Sequence, residues 1–512
     1  VKEQIKTLLN VDGRVQEGNR EGIERQHRLK KLTARERIAI LLDENSFMEM
    51  DKFMGRANLE LGESIREESA DSVITGYGTI DGRLVYVYAQ DFTVDSGGMG
   101  ERHSNKILKI QQMALKMGAP IIGIMDSNGG RVEDGLDTLS AYGKLMYQSS
   151  ISSGIIPQIS IVLGPCGGTA AYGPALSDFV FMVDESSHLF LNSPQGQVFG
   201  EDKEEIGVLG SAIANGEGSG VAHFIDSSEE ESIKRVRELL SYLPSNHLEN
   251  VPRYEPRDDI NRVEDRLNEI IPEDYHVFYD IRDIIKMISD EGKFFEISSR
   301  FAKNMVIGYM RLNGSTIGVV ANQPNVLDGS LDIDSSNKAA GFIKICDSFN
   351  IPILNLVDTQ GFVMDRDEEY KGVLKHGARM IYAYSNATVP KITLILRRAY
   401  GNGYMAMCPR ELGADQVFAL PIASISIMNP VGAASIIYRD EIGNSMNPIS
   451  TRQEKASEYK NTIANPYVAA RAGYIDDIVI PSQLRPRLIY SFDMLSTKVE
   501  DRPYRKHGNL SI

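Results

Sequence analysis

Long hydrophobic runs are missing from this sequence: none approaches the roughly 20 apolar residues that a membrane-spanning helix requires. Cysteine is scarce. Cys166, Cys346 and Cys408 are scattered, with no CxxC, which excludes a disulfide framework or a cysteine zinc site and suits the reducing cytoplasm. An excess of positive charge is also absent. The formal charge of −15 argues against nucleic acid or an anionic membrane as the main partner, although a local basic pocket for an anionic ligand remains compatible. The opening "VKEQIKTLLN" has no apolar centre, so no signal peptide is visible and a soluble, cytoplasmic protein is expected. There is no GxxxxGK[ST], GxGxxG, GxSxG or HExxH. His103, His188, His223 and His376 show no metal-ligand spacing and read as surface or satisfied core histidines. What remains is an ordinary globular composition, 42% apolar and 24% charged, in 512 residues, which implies two or three domains rather than one core.

The sequence repeats itself at long range. "SNKILKIQQMALKMGAPIIGIMDSNG" (104–129) returns as "SNKAAGFIKICDSFNIPILNLVDTQG" (336–361), 232 residues later. Pro120 pairs with Pro352, Asp126 with Asp358 and Gly129 with Gly361; backwards, Gly82 pairs with Gly314, Ala89 with Ala321 and Gly97 with Gly329. Solenoid repeats have periods of about 20–50 residues, so each copy here is a domain.

Each copy alternates strand-like and helix-length segments with short apolar strands, the pattern of an α/β architecture with a covered sheet. The first reads "SVITGYGTI" and "RLVYVYAQDF" joined at Asp81-Gly82, then a helix, "IIGIMD", a helix and "PQISIVLG". The polar, proline-punctuated stretch from Leu243 to Val277 suits a connection, and the division is placed at Pro252: residues 1–252 and 253–512. Ahead of the first copy lie helical segments, with Thr33 and Glu36 spaced as a capping box. Arg25, Arg28, Lys30, Lys31, Arg35 and Arg37 there form either a phosphate grip or, more commonly for such runs, a solvated helix face.

The second buried strand of each copy runs into small residues: "GPCGGTAAYGPALSD" in the first, "RRAYGNGYMAMCPREL" in the second. At an offset of about 234, Gly168-Thr169 falls opposite Asn402-Gly403. A Gly-Gly turn between strand and helix is by itself usually packing. Two in corresponding places suggest function: small residues admit a ligand to the backbone, and amides opening a helix are unpaired donors suited to an oxyanion. Asp178 and Asp415 each precede a short strand, and "NSPQG" (192–196) echoes "MNPVG" (428–432). Cys166 beside the first turn has no histidine obviously supplied to activate it and reads as a small buried residue. Lys116 in "ALKM" lies on the repeat's helix and reads as a surface lysine rather than a biotinylation site.

With "KLTARERIAILLDENSF", "GAPIIGIMDSNGGRVEDG", "SGIIPQISIVLGPCGGTAAYGPAL", "IPILNLVDTQGF", "HGARMIYAYSNATVPKITLILRRAYGNGY" and "GADQVFALP" in order, nearly the whole chain resembles the carboxyltransferase (β) subunits of biotin-dependent acyl-CoA carboxylases, a family that includes methylmalonyl-CoA decarboxylase α subunits. The resemblance implies two tandem crotonase-like domains, the first binding acyl-CoA and the second biotin, assembled as a homohexamer. Gly168 and Thr169 would then donate to the thioester carbonyl, and Asn402 and Gly403 to the ureido oxygen of biotin. Gly129, Gly130, Tyr172 and Met405 would bind substrate. Biotin would arrive on a carrier protein, loaded by a biotin carboxylase or unloaded by a membrane decarboxylase subunit, since this chain shows neither.

The motifs depart from the family where they are expected to be most typical. "DSNGGR" stands for DSGGAR, "CGGTA" for CAGGA, Gln360 for a proline, and "YGNGY" for YGGAY; Met405 stands where many short-chain carboxylases have an acidic residue. Asn402 is the non-glycine residue best suited to a left-handed turn. The alternatives are a sodium-pumping decarboxylase α subunit running the reverse half-reaction, a cofactor-free crotonase-type hydratase or isomerase, and a non-catalytic paralogue.

Overall fold

The computed structural model describes residues 1–55, 71–191 and 210–509, which fall into two compact units, Val1–Glu249 and Asn250–Ile512. Each is built on one sheet.

In the first unit, β1 (Met48–Met50), β2 (Val73–Ile80), β3 (Arg83–Gln90), β4 (Ile121–Ser127), β5 (Gln158–Gly167), β6 (Phe179–Val183), β7 (His188–Phe190) and β8 (Phe224–Asp226) lie in the order β1-β2-β3-β4-β5-β6-β8, with β7 beside the end of β5. The antiparallel β2–β3 hairpin turns at Asp81 (φ 50°) and Gly82 (φ 75°), the two left-handed residues that a tight two-residue turn demands. From β3 onward the strands are parallel, because helices Glu101–Met117 and Leu136–Ser152 carry the chain back. Both faces of β4 are buried, as its unbroken apolar run foretold.

The second unit repeats this with β9 (Phe294–Ile297), β10 (Met305–Leu312), β11 (Ser315–Asn322), β12 (Ile353–Thr359), β13 (Lys391–Tyr400), β14 (Gln416–Ala419), β15 (Ser424–Ser426) and β16 (Asp477–Ile478). The order is β16-β14-β13-β12-β11-β10-β9, with β15 beside the end of β13. Its hairpin again turns at two left-handed residues, Asn313 and Gly314.

Physical causes for the repeated letters are now visible. The lysine of Ser-Asn-Lys is buried in both copies: Lys106 Nζ donates to the Val73 carbonyl at 2.6 Å, and Lys338 Nζ to the Met305 carbonyl at 2.7 Å, each tying its helix to the start of a strand. A Cβ on Gly97 would lie 2.2 Å from the Asp126 carbonyl oxygen, and one on Gly329 2.2 Å from that of Asp358, so neither position tolerates a side chain. The Thr33–Glu36 capping box is formed.

Candidate active site

Strand β4 delivers Asp126 into a buried charge cluster. Its carboxylate accepts from Arg37 Nη1 at 2.8 Å, Lys31 Nζ at 2.9 Å and Gln26 Nε2 at 3.2 Å, and Arg37 also pairs with Glu229 at 2.7 Å. Arg35 pairs with Glu49 at 2.8 Å. Half of the basic cluster is therefore neither a phosphate grip nor a solvated face. Lys31, Arg35 and Arg37 are structural cations, because the segment folds back across the sheet.

Beyond Asp126 the chain forms the floor of the first cavity. Ser127 Oγ donates to the Gly97 carbonyl at 2.6 Å and accepts from the Gly129 amide at 3.0 Å; the Gly129 carbonyl in turn accepts from Met99 at 2.9 Å. Gly129 (φ 106°) is thus pinned with its own amide used. Gly130 is packed so closely that a Cβ would lie 2.2 Å from Thr138 Cγ2. Arg131 is anchored by Asp71 and Asp95, both at 2.7 Å.

The cavity measures about 810 Å³, and Gly129, Gly130, Gly168 and Thr169 all line it. Strand β5 ends at Gly167, Gly168 takes the left-handed conformation (φ 65°), and Gly168–Ala171 forms a 3₁₀ turn opening the short helix Tyr172–Ala175. The amides of Gly168 and Thr169 are the first of that turn, where no intrahelical acceptor precedes them. Tyr172 is about half exposed and does not line this cavity.

In the second unit, β13 ends at Tyr400, Gly401 is left-handed (φ 48°), and helix Gly401–Ala406 follows. The left-handed residue is therefore Gly401 and not Asn402, whose expected role in the turn is corrected: the glycine absorbs the reversal, and Asn402 is an exposed helical residue. Strands β4 and β12 match at 232 residues. Strands β5 and β13 match at 233, with Cys166 beside Ser127 and Ala399 beside Thr359. Gly403 approaches Gly361 so closely that its Cβ would lie 2.6 Å from the Gly361 Cα. Gly361 itself (φ 134°) has nothing within 4 Å of where its Cβ would be. Met405 is 40% exposed. Asp178 and Asp415 play one structural role, accepting from the first amides of β5 and β13 at 2.8 Å each. Burial pushes the Asp178 carboxyl up to about 7. Asn429 of "MNPVG" caps helix Pro430–Ile437, while "NSPQG" lies outside the described residues.

Each unit carries a small-residue strand-to-helix turn, and among the described residues neither turn has a nucleophile hydrogen-bonded to a base. The carboxyl transferase domain pattern matches residues 25–510. This chain belongs to the carboxyl transferase family. It is 44% identical over 515 residues to the methylmalonyl-CoA decarboxylase α subunit of Veillonella parvula, covering 100% of this chain and 99% of that one. It is 46% identical to the propionyl-CoA carboxylase carboxyltransferase subunit of Haloferax mediterranei, covering 97% and 96%. Among solved structures, transcarboxylase 12S with methylmalonyl-coenzyme A and methylmalonic acid bound superposes with a TM-score of 0.94 at 41% identity, covering 100% and 98%. The carboxyltransferase fold of two tandem crotonase-like domains follows.

Of the histidines, His103 meets Ser72 Oγ at 3.0 Å, His223 accepts from the Val180 amide at 3.1 Å and His376 meets Asn337 at 2.8 Å, all satisfied as expected. His188 is different: it lines the first cavity from β7. Sequence reading missed it, together with Arg131 and Tyr142, because only the crossing of β7 beside β5 brings it there. Cys166 is fully buried, and burial pushes its thiol up to about 12. Cys166→Ala should therefore leave turnover within about threefold of the parent, measured as initial rates, since an un-ionised buried thiol is no nucleophile. None of the described helices is long and apolar enough to cross a membrane.

Proposed function

We propose that this carboxyltransferase moves a carboxyl group between carboxybiotin, presented on a separate carrier protein, and the α carbon of a short acyl-CoA of the propionyl/methylmalonyl type. The observation that carries the reading is the pair of left-handed glycines, Gly168 and Gly401, each ending a buried strand and opening a turn of backbone donors. In the first domain, the amides of Gly168 and Thr169 donate to the thioester carbonyl and hold the negative charge that develops when the α-proton leaves. Each such donor is worth about 3 kcal/mol in the transition state. Gly129 and Gly130 keep the approach free of side chains, and the exposed Met405 borders the biotin end.

The second turn suits biotin. Gly403 is buried against Gly361, and the exposed Asn402 stands beside it at the start of the turn, where a flat polar ring could reach the backbone. When bound, biotin supplies the carboxyl carrier and the nitrogen that takes the α-proton. The protein's part is then positioning, with the Asn402 and Gly403 amides directed at the ureido oxygen. No side-chain base is required. Thr169 and Asn402 keep their N–H groups whatever their side chains, which favours an active enzyme over a non-catalytic paralogue. Relatives of nearly equal identity are named for a carboxylase and for a decarboxylase, and the same half-reaction serves both. By family, the partners are a biotin carrier and either a biotin carboxylase or a membrane decarboxylase subunit, around a homohexameric core; the transcarboxylase 12S relative assembles as a hexamer.

The test is decarboxylation of malonyl-, methylmalonyl-, ethylmalonyl- and glutaconyl-CoA by the purified protein with free biotin, followed by mass. Biotin-dependent CO2 loss from one of them is expected. Turnover without biotin would instead select a hydratase- or isomerase-like crotonase enzyme. His188→Gln separates the two further: it should lower biotin-dependent turnover less than about tenfold, whereas an enzyme using this imidazole as general base would lose about 100- to 10,000-fold.

A further inference from the structure

Behind the glycine turn of the first domain lies a second, smaller chamber of about 40 Å³, enough for a few heavy atoms. Its wall is soft and mostly apolar, with Met99, Ile107, Met125 and Met146. Tyr142 and Thr169 line both this chamber and the outer cavity, and so stand where one faces the other. Tyr142 is 5% exposed, and its ring is packed on Gly130, whose missing Cβ would lie 3.3 Å from ring Cε2. Thr169 adds a β-branched side chain that is stiff about its first torsion.

The chamber is not pure hydrocarbon. Gln111 Oε1 and Tyr142 Oη are buried without a hydrogen-bond partner among the described residues, although Gln111 Nε2 donates to Ser149 Oγ at 3.1 Å. A long acyl tail pushed past Tyr142 and Thr169 would meet a chamber with room for only a few heavy atoms, and its methylenes could pair with neither polar atom. A short acyl group would stay in the outer cavity and need no room behind these two residues. We propose that Tyr142 and Thr169 form a gate, and that the polar chamber behind it restricts this carboxyltransferase to short acyl chains. The inference rests on reading the first domain as the acyl-CoA site.

The test uses Gln111→Leu, which removes the unpaired carbonyl, and Met146→Ala, which widens the wall. Neither residue belongs to the oxyanion turns, so the short-chain reaction persists. Dissociation constants for propionyl-, butyryl- and valeryl-CoA are measured by calorimetry, beside biotin-dependent decarboxylation of methyl-, ethyl- and propylmalonyl-CoA. The affinity for valeryl-CoA relative to propionyl-CoA should rise about fourfold per methylene newly buried, and the turnover ratio should follow. An unchanged affinity ratio in both variants, with the parent's melting temperature, overturns the gate. Should either variant unfold, Leu145→Ala decides: it widens the same chamber from another side, so the valeryl-to-propionyl affinity ratio must rise, and an unchanged ratio again overturns the gate. Affinity is read without turnover. A complete lack of biotin-dependent decarboxylation would therefore count against carboxyl transfer, while the affinity ratio still decides the gate.

Discussion

Asp358→Ala should destabilise the second domain by about 3–5 kcal/mol, seen as a large fall in the urea midpoint. The carboxylate is fully buried. It accepts from Arg397 Nε at 3.0 Å, Arg398 Nε at 2.7 Å and the Tyr279 hydroxyl at 2.9 Å. Arg397 and Arg398 are 0% and 1% exposed, so deleting the anion leaves two buried guanidiniums with nothing between them. Among the described residues Arg397 Nη2 lacks a hydrogen-bond partner, Arg397 Nη1 keeps the Pro272, Asp274 and Val277 carbonyls, and Arg398 keeps only the Asp328 carboxylate and carbonyl. Asp358→Asn keeps the shape and one acceptor but not the charge, and should fall between the parent and the alanine variant. A loss below about 1 kcal/mol for Asp358→Ala would mean that water reaches the guanidiniums. The asparagine variant would then match the parent.

The same position shows why the sequence was legible only in part. Asp126 and Asp358 stand at the repeat's offset, and both hold buried cations. The donors, however, come from unrelated places: Lys31 and Arg37 from an N-terminal segment in one domain, Arg397 and Arg398 from the end of β13 in the other. Acceptors built into the repeated strand leave a periodic trace, while donors recruited from elsewhere leave none. That is how Lys31 and Arg37 came to resemble a solvated face. The glycines were legible for the opposite reason. Gly97 and Gly329 each abut a carbonyl oxygen that belongs to the same repeat, so constraint and cause recur together. The one-residue slip between β4–β5 and β12–β13 was hidden in the helical stretch between them, and it put the left-handed turn on Gly401 rather than Asn402. His188 reached the cavity through a strand too short, at three residues, to announce itself by alternation.

Gly403→Val should cut biotin-dependent decarboxylation about 100-fold while leaving the dissociation constant for acyl-CoA unchanged. Its Cβ would lie 2.6 Å from the Gly361 Cα and 3.0 Å from its N and C, and where the family's usual YGGAY accommodates a single methyl, valine adds two more that are stiff about the first torsion. These are backbone atoms, so no rotamer change relieves the contact. Gly361 is held on both sides: its amide donates to Thr359 Oγ1 at 3.2 Å and its carbonyl accepts from Leu331 at 2.9 Å. Relief must come from the Gly401–Tyr404 turn, which has to move by about 1 Å to restore ordinary carbon–carbon separation. That displaces the Asn402 and Gly403 amides from the oxygen they are proposed to hold, and a 1 Å error in such a site costs about 100-fold. Gly361→Ala is the control. Its Cβ would enter open space, so it carries backbone strain at φ 134° but no collision with the turn. If acyl-CoA affinity fell together with turnover in Gly403→Val, the two turns would not have separate ligands. If turnover were untouched, the second turn would hold no reacting group, and carboxyl transfer would need another site in this domain.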